Sequence, residues 1–160
     1  DQWQQSLAML SLMVDSQVEG NIVTYNALFD CPSIRSSRLG TSLFQGFLPF
    51  LRDITVLEEL ELDLHILSQG STCLTLKWWL ATTVKNMLLG KRSLTCRIVT
   101  GWGKTREAWG TSDLRATALE MLNNLGLQAK IDPKNPGCLL LSLRKLDLGT
   151  LQRLGRLWCL

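Results

Sequence analysis

Asp63 and His65, in the segment Leu62-Asp63-Leu64-His65, place a carboxylate two positions from the single imidazole of the chain. The segment alternates: Leu60, Leu62, Leu64 and Ile66 fall on one side, Glu61, Asp63 and His65 on the other. That period predicts a half-buried strand over 60–66. Residues two apart on a strand share a face and stand about 6.5–7 Å apart along it. Asp63 and His65 could then both reach one phosphodiester. Asp63 would orient or deprotonate a water or a ribose hydroxyl, and His65 would serve as acid or base. Taken alone, an Asp-x-His pair more often makes a structural hydrogen bond than a catalytic one.

The second candidate is Thr100-Gly101-Trp102-Gly103-Lys104-Thr105-Arg106, which leaves a predicted strand and runs through Gly110 towards a helix start. Glycines let backbone approach an anion closely, and a helix start presents unpaired N–H groups. Lys104 and Arg106 add positive charge, and Trp102 could stack on a base. Two nucleotide motifs are excluded. A Walker loop ending in Gly103-Lys104-Thr105 needs glycine where Ile98 stands, and a dinucleotide fingerprint starting at Gly101 needs glycine where Arg106 stands. No nucleotide cofactor is therefore expected.

Composition narrows the class further. The 160 residues are 46% hydrophobic, enough for one domain with a short companion. No run approaches the roughly 20 apolar residues of a membrane-spanning helix. Residues 1–60 carry seven acids and three bases, net −4; residues 61–160 carry seven acids and fourteen bases, net +7. A basic second part suits a polyanion, although a solvated surface also produces such an imbalance. Five scattered cysteines without a Cys-x-x-Cys pair oppose a zinc module or a disulfide framework. One carboxylate makes a poor metal cage, though it could hold hydrated Mg²⁺.

The positioning elements follow from periodicity. Residues 2–17 read as a helix closed by Gly20, a new helix starts near Asn21, and a third apolar pattern spans Leu39 to Phe50. The glycines at 40 and 46 and Pro49 work against that third helix. After the first strand, a helix capped by Ser71 or Thr72 runs to Gly90 on the stripe Leu76, Leu80, Val84 and Met87/Leu88. A strand over 94–100 leads into the glycine loop. A second helix starts near Ser112-Asp113, packs through Leu114, Ala118, Met121/Leu122 and Leu125, and stops at Gly126. Strands over 127–131 and 138–146 close around a turn over 133–137. The order βαβαββ predicts an α/β two-layer sandwich, with two helices covering one face of a four-stranded sheet. The open face would carry Asp63, His65, Arg97, Gln128, Lys130, Ser142 and Arg144, a candidate cationic platform or an ordinary solvated face.

The two motifs together are more specific than either alone. Leu62-Asp63-Leu64-His65 with Ser68 and Gly70, then Thr100-Gly101-Trp102-Gly103-Lys104, then Ser112 with Leu114-Arg115, resembles the SMR (Small MutS-Related) domain over roughly residues 60–146. The resemblance implies a fold like the C-terminal domain of a translation initiation factor. It also implies nucleic-acid binding and, in several members, endonuclease activity. Carried over, Asp63 and His65 would be catalytic, and Gly101, Trp102, Gly103, Lys104 and Arg106 would bind nucleic acid; Arg97, placed on the open face by strand alternation, is a further expected nucleic-acid contact. Ile66 stands where the family commonly has glycine. The loop with Trp102 looks like the variant in plant and algal proteins that join pentatricopeptide repeats to an SMR domain.

The first 56 residues agree with that variant. Trp3, Leu7 and Met13, followed by Asn21-Ile22-Val23-Thr24-Tyr25-Asn26-Ala27-Leu28, are similar to a pentatricopeptide repeat boundary. Such repeats read RNA one base at a time. By resemblance Asn26 would sit at a base-reading position and Asn21 at the last position of the preceding repeat. The expected organisation is 1–56 partial helical repeats, 58–147 SMR domain and 148–160 a tail or short helix. A chain opening on Asp1 is expected to be a fragment, and the resemblance implies a chloroplast or mitochondrion. The expected function is binding, with cleavage, of RNA more than DNA; the alternative is a noncatalytic nucleic-acid or protein interaction module.

Overall fold

The computed structural model describes residues 2–54, 60–88, 93–101, 114–144 and 152. Four helices come first: α1 (Gln2–Asp15), α2 (Ile22–Phe29), α3 (Pro32–Arg35) and α4 (Arg38–Ile54). Helix α1 stops at Asp15 and is closed by Gln17, not Gly20: Gln17 takes a left-handed φ of 55°, and the Val18 N–H donates to the Met13 carbonyl at 2.8 Å. Asn21 caps α2, its Oδ1 accepting from the Val23 and Thr24 N–H groups at 3.0 and 3.2 Å.

Helix α4 runs through Pro49, although an interior proline works against a helix. Pro49 is exposed, whereas Phe44, Phe47 and Leu51 on the other side are fully buried. An interior proline costs about 3 kcal/mol. Burying each of those three side chains returns about 1.5–3 kcal/mol, so the amphipathic face wins. Tyr25, Phe29, Phe44, Phe47 and Phe50 form the resulting aromatic cluster, with Tyr25 and Phe47 centroids 5.0 Å apart.

The second part has the predicted βαβαββ order. It comprises β1 (Glu61–Asp63), α5 (Gln69–Trp79), a π-helical turn (Leu80–Val84), α6 (Lys85–Leu88), β2 (Ser93–Val99), α7 (Leu114–Asn124), β3 (Ala129–Asp132) and β4 (Asn135–Arg144). The sheet order is β1-β2-β4-β3; β1 and β2 are parallel and the other pairs antiparallel. Leu62, Leu94, Cys96, Ile98, Leu139, Leu141 and Leu143 turn to the helices and are buried. The predicted helix stripes Leu76, Leu80, Val84 and Leu88, and Leu114, Ala118 and Leu122, face them.

Several boundaries differ, each for a local reason. Ser68 caps α5 in place of Ser71 or Thr72, its Oγ accepting from the Ser71 N–H at 3.3 Å. The turn between β3 and β4 is tighter than 133–137. Asp132 pairs with Asn135, and Asp132 Oδ1 accepts from the Lys134 N–H at 2.9 Å. Strand β1 stops at Asp63, three residues short, because the Leu67 N–H closes a turn onto the Leu64 carbonyl at 2.9 Å. Gly126, with φ 73°, ends the turn after α7 as its residue type predicts.

Helix α5 is buried on more sides than one apolar stripe requires: Gly70, Ser71, Thr72 and Thr75 are buried along with its leucines. The cause is the preceding helices. A Cβ added at Gly70 would lie 1.9 Å from the Phe29 carbonyl oxygen and 2.6 Å from the Asp30 nitrogen, so α2 packs backbone to backbone on α5. One hydrophobic cluster consequently runs from Phe29, Phe44 and Phe47 through Leu74 and Trp79 to the sheet.

Two expectations follow. Gly70→Ala cannot be relieved by a side-chain shift, because the neighbour is backbone; it should lower unfolding stability by about 1–3 kcal/mol in urea. An unchanged urea midpoint would show that α2 does not lie this close. Burial pushes the Cys96 thiol from 9.0 up to about 11. Between those values the unfolded thiol has lost its proton and the folded one keeps it. Stability contributed by this group is therefore complete below pH 9 and declines as pH rises towards about 11. Cys96→Ala should flatten that part of the stability–pH curve.

Candidate functional site

Because β1 ends at Asp63, His65 lies in a turn and not on the strand. The two side chains are therefore not spread 6.5–7 Å apart along an extended segment. Asp63 Oδ1 accepts from the His65 backbone N–H at 3.0 Å and meets His65 Nδ1 at 2.6 Å. Since an ionised carboxylate can only accept, Nδ1 carries the proton and Nε2 occupies the far edge of the ring. The Asp63 side chain is 17% exposed and that of His65 50%, so the carboxylate is largely enclosed while the imidazole faces outward.

The start of the glycine loop reaches the same place. Strand β2 is parallel to β1, with Asp63 beside Val99, and the Leu64 N–H donates to the Val99 carbonyl at 2.8 Å. Both chains leave the sheet there, at the carboxyl ends of adjacent parallel strands, where open α/β sheets bind ligands. The Gly137 carbonyl at the head of β4 accepts from the Thr100 N–H, the Gly101 N–H and Thr100 Oγ1 at 2.8, 3.1 and 3.2 Å. Gly101 takes a left-handed φ of 77°, and a Cβ added to it would lie 3.3 Å from the Cβ of His65. Glycine is thus required twice, for its φ and for the closeness of the imidazole.

Asp63, His65 and Gly101 come together. Trp102, Gly103, Lys104 and Arg106 lie outside the described residues, as do Ser112 and Asp113. Arg97 is on the open face as expected, but it is not a bare charge. Its Nη1 donates to Glu61 Oε2 at 3.1 Å and its Nη2 to Cys138 Sγ at 3.4 Å. The Cys138 sulfur first, then the Glu61 carboxylate, hold the guanidinium still more firmly protonated than usual. Among the described open-face residues, Lys130 and Ser142 are exposed, while Val99 and Leu140 are half-buried. That part of the face is mixed, not cationic.

Asn26, expected at a base-reading position, is half-buried with its carboxamide engaged within the chain. Its Nδ2 donates to the Ile66 carbonyl at 3.3 Å, and its Oδ1 accepts from the Ser68 N–H at 3.1 Å. Asp30 Oδ1 accepts from the Gly70 N–H at 2.8 Å. Asn21 is occupied as the α2 cap. The residues not anticipated are Asp30, Gly137 and the Glu61 partner of Arg97. Only the Glu61 side had a sequence signal, its place on the polar side of the first strand.

Among the described residues no group of three or more His, Cys, Asp or Glu is placed to hold a metal ion. Asp63 already has one oxygen engaged by His65, which makes it a poor seat for a divalent cation. No helix of the described residues is long and apolar enough to cross a membrane.

Compared with known proteins, the chain matches no protein-family model, and no solved structure matches it. Two pentatricopeptide repeat-containing proteins of Arabidopsis thaliana are similar to it. One is 36% identical over 95 residues, covering 57% of this chain and 11% of that protein. The other is 35% identical over 78 residues, covering 48% of this chain and 9% of that protein. The chain therefore spans about a tenth of the length of these curated relatives, and over about half of its own length it is related to pentatricopeptide repeat proteins.

Proposed function

We propose that this chain is the junction of a pentatricopeptide repeat array with an SMR-type domain, that it binds RNA, and that the Asp63–His65 turn cleaves it. The observation that carries the reading is the 2.6 Å Asp63–His65 pair beside left-handed Gly101 at the ends of two parallel strands. Pentatricopeptide-type relatives and the SMR-like motifs support RNA over DNA as the polyanion, and a chloroplast or mitochondrion as the site of action.

In this mechanism Asp63 holds the imidazole in one orientation and tautomer, and His65 is the acid–base group. Nε2 takes a proton from a ribose hydroxyl or a water; that oxygen attacks phosphorus. The P–O bond to the leaving oxygen breaks, and that oxygen takes a proton back from the imidazolium or from solvent. Lys104 and Arg106, carried over from the motif, neutralise the phosphate.

A noncatalytic platform is the second reading, and one observation favours it. The oxygen of Asp63 that meets the imidazole also caps the turn through the His65 N–H at 3.0 Å, a purely structural use. To separate the two, the full chain, Asp63→Asn and His65→Ala are incubated with labelled single-stranded RNA and DNA, with Mg²⁺ or with chelator. The nuclease reading expects RNA cleavage by the wild type and a loss of about 10²–10⁴-fold in His65→Ala, with binding retained. Equal binding without cleavage by all three proteins would leave the platform. In that case affinity should fall steeply with salt and depend on Lys104, Arg106 and Trp102.

A further inference from the structure

We infer that Asn26, on a helix of the repeat part, is a positioning residue for His65; the inference rests on the nuclease reading above. Besides the backbone bond from Leu64 to Val99, side chains hold the segment from Asp63 to Ser68 on two sides. On one side Asp63 Oδ1 takes the His65 N–H and Nδ1 at 3.0 and 2.6 Å. On the other, Asn26 Nδ2 donates to the Ile66 carbonyl at 3.3 Å and Asn26 Oδ1 accepts from the Ser68 N–H at 3.1 Å. Ser68 Oγ adds a bond to the Asn26 backbone carbonyl at 3.3 Å. His65 is bonded to the first anchor and directly precedes Ile66, where the second takes hold.

A carboxamide suits this place. It offers one donor and one acceptor side by side in a plane, matching a carbonyl and an N–H two residues apart in a turn. Asp30, four residues on, holds the Gly70 N–H at 2.8 Å, and the absent side chain of Gly70 lets the α2 backbone come this close. The imidazole is therefore positioned by a helix some 40 residues away in sequence. Movement of α2, such as RNA binding along the repeats would cause, acts directly on the turn that carries His65. Base reading by Asn26 and this clasp compete for the same carboxamide.

The test uses the intact chain with Asn26→Ala and Asn26→Asp; the aspartate keeps the acceptor for Ser68 and loses the donor to Ile66. With one histidine in the chain, the imidazole ¹⁵N signals report His65 alone. The expected result is unchanged RNA affinity and KM, kcat lowered about 10- to 100-fold, and ¹⁵N shifts moved from a fixed Nδ1–H tautomer towards an averaged one. Imidazole signals identical to wild type in both variants would overturn the inference. So would a loss of RNA affinity with those signals unchanged, which would return Asn26 to base reading. If the wild type does not cut RNA, the nuclease reading fails, and the imidazole spectrum alone decides whether Asn26 holds His65. Should Asn26→Ala not fold, as judged by circular dichroism, the isosteric aspartate carries the measurement.

Discussion

The first turn of α5 exposes backbone N–H groups that a helix cannot satisfy internally, and in this protein a different part of the chain satisfies them. Ser68 Oγ takes the Ser71 N–H, but the N–H groups of Ser68 and Gly70 go to Asn26 and Asp30. A carboxylate at a helix N-terminus also meets the positive end of the helix dipole. Asp30 is exposed, so the hydrogen bond matters there more than the long-range charge. This junction permits no Cβ at position 70, and with it comes the continuous core that joins the aromatic cluster of α2 and α4 to the sheet.

The site inherits its geometry from that junction and from the parallel pairing of β1 with β2. Parallel strands send both chains out of the same end of the sheet, which is why residues 63–65 and 100–101 meet despite their separation in sequence. Strand β4 contributes through a single carbonyl. Gly137 fixes Thr100 and Gly101 with three hydrogen bonds, and Gly101 then turns left-handed against His65. The dyad is thus supported from four elements, although its own residues are two positions apart.

Charge counted along the chain and charge displayed on the surface differ for a physical reason. Residues 61–160 carry a net +7, yet Arg97 in the middle of the open face faces Glu61 across the β1–β2 pair at 3.1 Å. The guanidinium also reaches Cys138 on the other neighbouring strand. Its stem and head are spread over the sheet, and its charge is balanced locally. Under the proposed RNA-binding reading, contacts to the polyanion come from other bases, of which exposed Lys130 is one.

Local chemistry alone determined much of the fold. Period-2 and helical apolar patterns marked the βαβαββ order and the stripes Leu76–Leu80–Val84 and Leu114–Ala118–Leu122 that the core uses. Gly126 marked a helix stop, and Asn21 a helix start. The Asp63–His65 pair and Gly101 were legible as candidates because few residue types can do such chemistry. What only the tertiary structure decided is where those groups point. A strand reading separates Asp63 from His65, and a turn closed by Leu64 and Leu67 joins them. Pro49 broke the local rule for α4, and burial of Phe44, Phe47 and Leu51 overrode it. Asn26 carried no sign in the sequence of contact with residues 66–68, because such a contact depends on two helices meeting backbone to backbone at Gly70. Periodicity reports which face of an element is buried; it does not report which distant element buries it.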